Sequence, residues 1–263
     1  MSEHPIAERW RSLRGNAVRR AALIPYLTAG FPTPALSLEA LRVVADAGAD
    51  FVEVGIPFSD PLADGPTIQR STQAALDQGM TAARVLEQIH RAALAVPVIV
   101  MTYLNPVLAF GVDRFVRDAA AAGVSGLLLT DFPAGADPEI EALVASSPLV
   151  WIRLIAPTTS PERLTRAVCG ASGFLYLISR LGVTGARDQV PADLAHNVAR
   201  VRAASPLPLA VGFGIGTPAQ ARATAALADG VVVGSAIVDA LGQDGLPAAE
   251  RLVRELAAAV RAP

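Results

Sequence analysis

The chain has 263 residues, 52% of them hydrophobic and 17% charged, with a formal net charge of −2. That is enough apolar material for one large core and too little charge for disorder. Acids and arginines are interspersed, so no basic stripe marks a nucleic-acid face and no basic amphipathic helix marks a membrane surface.

No run of about 18 apolar residues occurs, which argues against a membrane span. The first residues, MSEHPIAERWRSLRGNAVRR, lack the apolar region of a secretory signal. Cys169 is the one cysteine, so no disulfide can form within the chain, and a cytoplasmic setting is expected. All 22 basic residues are arginine; lysine is absent. The chain therefore cannot form a Schiff base with a substrate or with pyridoxal phosphate, and it has no P-loop lysine.

In chain order, a helix over Ile6–Gly15 comes first and is placed to plug the floor of whatever follows. Eight short apolar runs then alternate with longer amphipathic stretches. The runs are ALIPYLTAG, ADFVEVGIP, PVIVMTYLNP, GVSGLLLTDFP, PLVWIRLIAP, SGFLYLISR, PLPLAVGFGIG and ADGVVVGSAIV. Each is nearly continuous in apolar residues, as strands buried on both faces of a parallel sheet are. Helical spacing marks Ala35–Asp46, Ala82–Leu94, Val112–Ala122, Pro138–Ser146, Pro161–Val168, Pro191–Ala203, Pro218–Ala228 and Gly245–Arg261. Asp137-Pro138, Ser160-Pro161 and Thr217-Pro218 are helix starts, a capping side chain followed by proline. Eight strand–helix units predict an α/β fold, a single (β/α)8 TIM barrel with an extra N-terminal helix, one domain over 1–263. A doubly wound open sheet is the alternative. It is disfavoured because GFGIG at 212–216 is only a degenerate relative of the dinucleotide fingerprint and lies near the end of the chain.

Barrel sites sit at the carboxyl ends of the strands, and three clusters fall there. Glu53 lies inside FVEVG, where alternation turns Val52 and Val54 to the helices and Glu53 into the barrel mouth. Burial there raises a carboxyl pKa toward neutrality and makes a proton donor and acceptor. A structural glutamate bonded to neighbouring strands is the alternative. The following loop, GIPFSDPLADGP, brings Asp60 and Asp64 in a shape fixed by proline and glycine. The second cluster is LYLISRLGVTGARDQVP, with Tyr176 in the strand and Gly182 to Gly185 in a lid-like loop. The third joins GFGIGTP to GSA, where the glycines permit close backbone approach to an anion and Ser235 at a short helix start adds a hydroxyl, at the usual phosphate position of this fold. His4, His90 and His196 are scattered, so no metal site is expected, and no GxSxG elbow occurs.

PYLTAGFP (25–32), EVGIPFSDPLADGPTIQ (53–69), YLNP (103–106), LLLTDFP (127–133), LYLISRLGVTG (175–185), VGFGIG (211–216) and VVVGSAIV (231–238) resemble, in order, the motifs of the tryptophan synthase alpha chain family. The resemblance covers nearly the whole chain. It implies a lyase of tryptophan biosynthesis, cleaving indole-3-glycerol phosphate by a retro-aldol reaction to indole and D-glyceraldehyde 3-phosphate. By position it implies that Glu53 moves protons and that Asp64 holds the indole N–H. Tyr26, Tyr103 and Tyr176 then belong to the substrate pocket, Thr184 meets Asp64 when the lid closes, and Gly185, Gly214, Gly234 and Ser235 cradle the phosphate. Tyr26 stands where some relatives carry Phe, and Phe31 where some carry Asp. The resemblance also implies a beta chain as partner, in an α2β2 heterotetramer, with pyridoxal phosphate in that partner and no cofactor in this chain. The loops around Pro57 and Asn105 would dock it. Barrel families whose catalysis depends on lysine are disfavoured on chemistry. A non-catalytic barrel is disfavoured by the presence of both carboxylates. A free-standing indole-producing lyase stays open, since its site would look the same.

Overall fold

A computed structural model describes residues 3–15, 20–178, 193–212 and 214–261. Nine strands are described: β1 (Ala22–Thr28), β2 (Val52–Gly55), β3 (Val98–Thr102), β4 (Val124–Leu129), β5 (Val150–Trp151), β6 (Arg153–Ile155), β7 (Leu175–Ile178), β8 (Leu209–Gly212) and β9 (Gly230–Val233). All pairings are parallel, in the order β5-β4-β3-β2-β1-β9-β8-β7-β6. The two ends of that order, β5 and β6, are separated in the chain by Ile152 alone, so one interrupted strand bridges them. The barrel thus has the eight strand positions the sequence predicts.

The helices are α1 (Pro5–Arg14), α2 (Pro34–Asp46), α3 (Pro66–Asp77), α4 (Ala82–Ala92), α5 (Leu104–Phe110), α6 (Val112–Ala121), α7 (Pro138–Ala145), α8 (Pro161–Cys169), α9 (Leu194–Ala204), α10 (Pro218–Ala225), α11 (Ser235–Asp244) and α12 (Leu246–Arg261). The caps work as the sequence suggests. Asp137, Ser160 and Thr217 each accept a backbone N–H of the first turn on the side chain, with proline following, and so does Thr33 before α2. Each such cap contributes about 1 kcal/mol. The sequence reading did not place α3 or α5; both fill loops at the carboxyl ends of β2 and β3.

Strand alternation sorts the core into two shells. Val52 and Val54 pack outward against the helix layer. Tyr26, Ile99, Met101, Leu128, Ile152, Tyr176, Ala210 and Val232 point into the barrel. Helix α1 closes the floor with Ile6, Trp10 and Leu13, all buried. Trp10 packs between Phe51, tilted at a centroid distance of 4.9 Å, and Phe174, edge-on at 5.6 Å. Each such side chain contributes about 1.5–3 kcal/mol by leaving water. Arg9 of α1 bonds the fully buried Asp50 at 2.8 Å, and Asp50 also accepts the Leu23 N–H at 3.0 Å, which ties the plug to the start of β1 and β2. With the floor packed by α1, the cavity inside the barrel lies toward the carboxyl ends of the strands. Among the described residues no helix is long and apolar enough to cross a membrane.

Candidate active site

Glu53 is 2% exposed, in the middle of β2, and faces a cavity of about 150 Å³ at the barrel mouth. Burial and then the charge of Asp64 push its pKa from 4.5 to about 8. Asp64 lines the same cavity from the loop between β2 and α3. Its pKa rises to about 6 through burial, held back by a hydrogen bond from Tyr103. Two carboxyl groups in one pocket thus hold different protonation states near neutral pH, the condition for dividing acid and anion roles.

The loop is built to hold Asp64 there. The Tyr103 hydroxyl donates to Asp64 Oδ2 at 3.0 Å and accepts the Ala63 N–H at 2.9 Å. Gln69 Nε2 donates to the Asp64 carbonyl at 2.8 Å, and the Phe58 ring lies 5.3 Å from that of Tyr103. Asp60, equal to Asp64 by composition, is exposed and accepts a bond from Ser59 Oγ at 2.6 Å.

Two tyrosines pave the cavity floor. Tyr26 pairs in register with Glu53 and leans over Gly55, where an added Cβ would lie 2.1 Å from its hydroxyl oxygen. Tyr176 pairs with Ala210 and leans over Gly212 with the same 2.1 Å clearance. Burial pushes both phenols well above their ordinary pKa, so they stay neutral. The Tyr26 hydroxyl reaches Thr28 Oγ1 at 3.3 Å, Thr28 reaches Ser71 Oγ at 2.7 Å, and Ser71 donates to the Ile68 carbonyl at 2.9 Å, a chain that joins the floor to α3.

The opposite wall follows β8 and β9. Gly214 has φ +78°, the left-handed region that favours glycine, with nothing within 4 Å of an added Cβ. Gly234 is the N-cap of α11 with no side-chain cap, so the first N–H groups of that helix are left for a ligand. Gly216 differs: its N–H goes to Gln220 Oε1 at 2.8 Å within the capping box of α10.

Glu53, Asp64, Tyr26, Tyr176, Gly214, Gly234 and Ser235 therefore meet in one cavity. Tyr103 stands behind Asp64 instead of lining the space. Thr184 and Gly185, expected in the lid and cradle, lie outside the described residues. The sequence reading missed Thr67, Ile68, Met101, Ile215, Val232 and Asp239, which also line the cavity. Met101 and Val232 were findable, since each sits on the inward phase of its strand. Asp239 follows Ser235 by four residues and so shares its helix face. Among the described residues no group of three or more His, Cys, Asp or Glu side chains is placed to hold a metal ion.

Comparison with known proteins gives one family. The family model described as tryptophan synthase alpha chain matches residues 14–262. The chain is 44% identical to a tryptophan synthase alpha chain of Chloroflexus aurantiacus, covering 98% of this chain and 99% of that one. It is 47% identical to one of Mycobacterium marinum, covering 93% and 91%. Among solved structures, a chain of Mycobacterium tuberculosis tryptophan synthase superposes with a TM-score of 0.91 at 43% identity, over 100% of both chains.

Proposed function

The chain belongs to the tryptophan synthase alpha chain family and cleaves indole-3-glycerol phosphate in tryptophan biosynthesis, and on that premise we propose that Glu53 carries the protons of the cleavage while Asp64 holds the indole nitrogen. The observation that carries this reading is the pairing of two cavity carboxyls, one raised to about 8 and one to about 6, facing an uncapped helix start across the pocket.

Glu53, protonated at neutral pH, delivers its proton to the indole carbon that bears the side chain. The positive charge this creates reaches the ring nitrogen, whose N–H meets the Asp64 carboxylate. The Glu53 carboxylate then takes the hydroxyl proton from the adjacent side-chain carbon. The carbon–carbon bond breaks, its electron pair returns to the ring as indole, and the hydroxyl carbon becomes the aldehyde of glyceraldehyde 3-phosphate. The glutamate ends protonated as it began, so the step balances. Ile68, Met101 and Val232 offer the ring an apolar bed between Tyr26 and Tyr176, and Gly214, Gly234 and Ser235 take the phosphate.

The chain works in the cytoplasm as one barrel domain over 1–263, with a tryptophan synthase beta chain in an α2β2 tetramer. Pyridoxal phosphate belongs to that partner, since this chain has no lysine to bind it. The loops around Pro57 and Asn105 form the docking face, where Leu62 is 93% exposed and Leu108 47%.

An indole-release assay on indole-3-glycerol phosphate, with and without a beta chain, tests the assignment. E53Q is expected to lose about 100-fold or more of the rate, the scale of a positioned acid–base group. Undiminished activity in E53Q would sink the role of Glu53. Failure of the two chains to co-elute in size exclusion would sink the partner.

A further inference from the structure

Asp239 is a third carboxylate on the cavity wall, and the cleavage uses only two. It sits on α11 four residues after Ser235, one turn along the same face from the anion cradle. Its oxygens are both engaged by α3. Thr67 Oγ1 donates to Oδ2 at 3.0 Å, and Arg70 Nη2 approaches Oδ1 at 3.4 Å while also donating to Thr67 Oγ1 at 3.2 Å. Among the described lining residues, Glu53, Asp64 and Asp239 are acidic and none is basic. A substrate phosphate brings nearly two more negative charges to this wall.

We propose that Arg70 is a specificity-determining residue for the phosphate of the substrate, acting as the counter-charge that cancels Asp239 beside the cradle. This rests on the reading of Gly214, Gly234 and Ser235 as that cradle. With Arg70 in place the wall is neutral and the helix start of α11 is left to attract the anion. Without it, a bare carboxylate stands one helical turn from the phosphate and opposes it. The bland role for the same contacts is a clip between α3 and α11. An exposed ion pair of this length contributes little to stability, and a clip alone gives KM no dependence on the sign of charge.

Steady-state kinetics on indole-3-glycerol phosphate, together with competitive inhibition by inorganic phosphate, separates the two roles in R70Q, D239N and the double variant R70Q/D239N. R70Q is expected to raise both KM and the inhibition constant about tenfold at low ionic strength, less so at high salt, with kcat within about twofold of the parent. D239N is expected at or below the parental KM. The double variant, neutral again, is expected to return to within about threefold of the parent. A parental KM in R70Q, or a double variant no better than R70Q, overturns the proposal. S235D is the control for the cradle, because a carboxylate suits a helix start yet excludes phosphate. If S235D leaves KM unchanged, the cradle reading fails. If S235D raises KM and R70Q does not, Arg70 alone is misassigned.

Discussion

Tyr103 donates to one oxygen of Asp64 at 3.0 Å while its own oxygen accepts the N–H of Ala63 at 2.9 Å. One phenol therefore fixes two successive residues of the loop after β2. It occupies Asp64 Oδ2 and leaves the other oxygen for a substrate N–H. Its bond also favours the ionised carboxyl and opposes the effect of burial. Y103F removes that bond, so the pKa of Asp64 should climb from about 6, and the acid limb of kcat/KM should move upward by up to about one unit. Activity at pH 7 should fall by up to about twofold, and the gap to the parent should close at pH 8. An acid limb in the parental position would show that the phenol does not tune Asp64.

The parent enzyme should show a bell-shaped pH profile. Asp64 must be ionised to receive the charged indole, so kcat/KM falls as pH drops through about 6. Glu53 must be protonated to start the cleavage, so kcat/KM falls as pH rises through about 8. The alkaline limb should vanish in E53Q, whose residual rate no longer depends on that proton. An alkaline limb that persists unmoved in E53Q would assign it to another group.

The same burial bears on stability. The folded chain keeps the Glu53 proton up to about pH 8, whereas an unfolded glutamate releases it near its ordinary value of 4.5. Folding thus becomes less favourable as pH climbs between those two values, and the full cost of the carboxyl is present above the upper one. E53Q, neutral at every pH, should be more stable than the parent by on the order of 4 kcal/mol at pH 8 and by less than about 1 kcal/mol at pH 5. Urea unfolding at the two pH values measures the gap. A gap of equal size at both would mean that the glutamate does not titrate as its burial requires. The same experiment separates loss of catalysis in E53Q from loss of fold.

Much of this was legible because the barrel repeats a simple rule. Apolar runs gave the strand positions, and cap-then-proline pairs gave the starts of α7, α8 and α10. The interruption at Ile152 was not legible: PLVWIRLIAP reads as one run, and Arg153 sits inside it. That arginine is 4% exposed because its guanidinium lies 4.0 Å from the Trp151 ring centroid and bonds Glu141 at 2.5 Å, partners that only the fold supplies. Helix α3 carried the same signal as its neighbours in muted form, Gly65 as N-cap and then Pro66, but glycine offers no capping side chain to read. At the site, inward phase found Glu53 and could have found Met101 and Val232. The pairing of Asp239 with Thr67 and Arg70 spans about 170 residues of chain and has no sequence periodicity behind it.

Gly55 and Gly212 occupy matching places beneath Tyr26 and Tyr176, and neither has a left-handed φ, so both are glycine for space alone. At Gly212 an added Cβ would lie 2.1, 2.7 and 2.9 Å from the hydroxyl, Cζ and Cε1 of Tyr176. No small adjustment absorbs contacts with the ring itself, so in G212A the tyrosine must swing into the substrate space or β8 must shift. Overpacking of this kind costs about 1–3 kcal/mol, and the displaced ring blocks the bed between the two tyrosines. G212A should therefore lose stability and at least about tenfold in kcat/KM, since small misplacements at a reacting centre are amplified in rate. Shortening the tyrosine in G212A/Y176L should restore most of the melting temperature while leaving activity low, because the space is relieved but the floor is gone. A G212A protein with parental melting temperature and parental kcat/KM would mean that Tyr176 is free to stand elsewhere without consequence, and the floor assigned to it would have to be withdrawn.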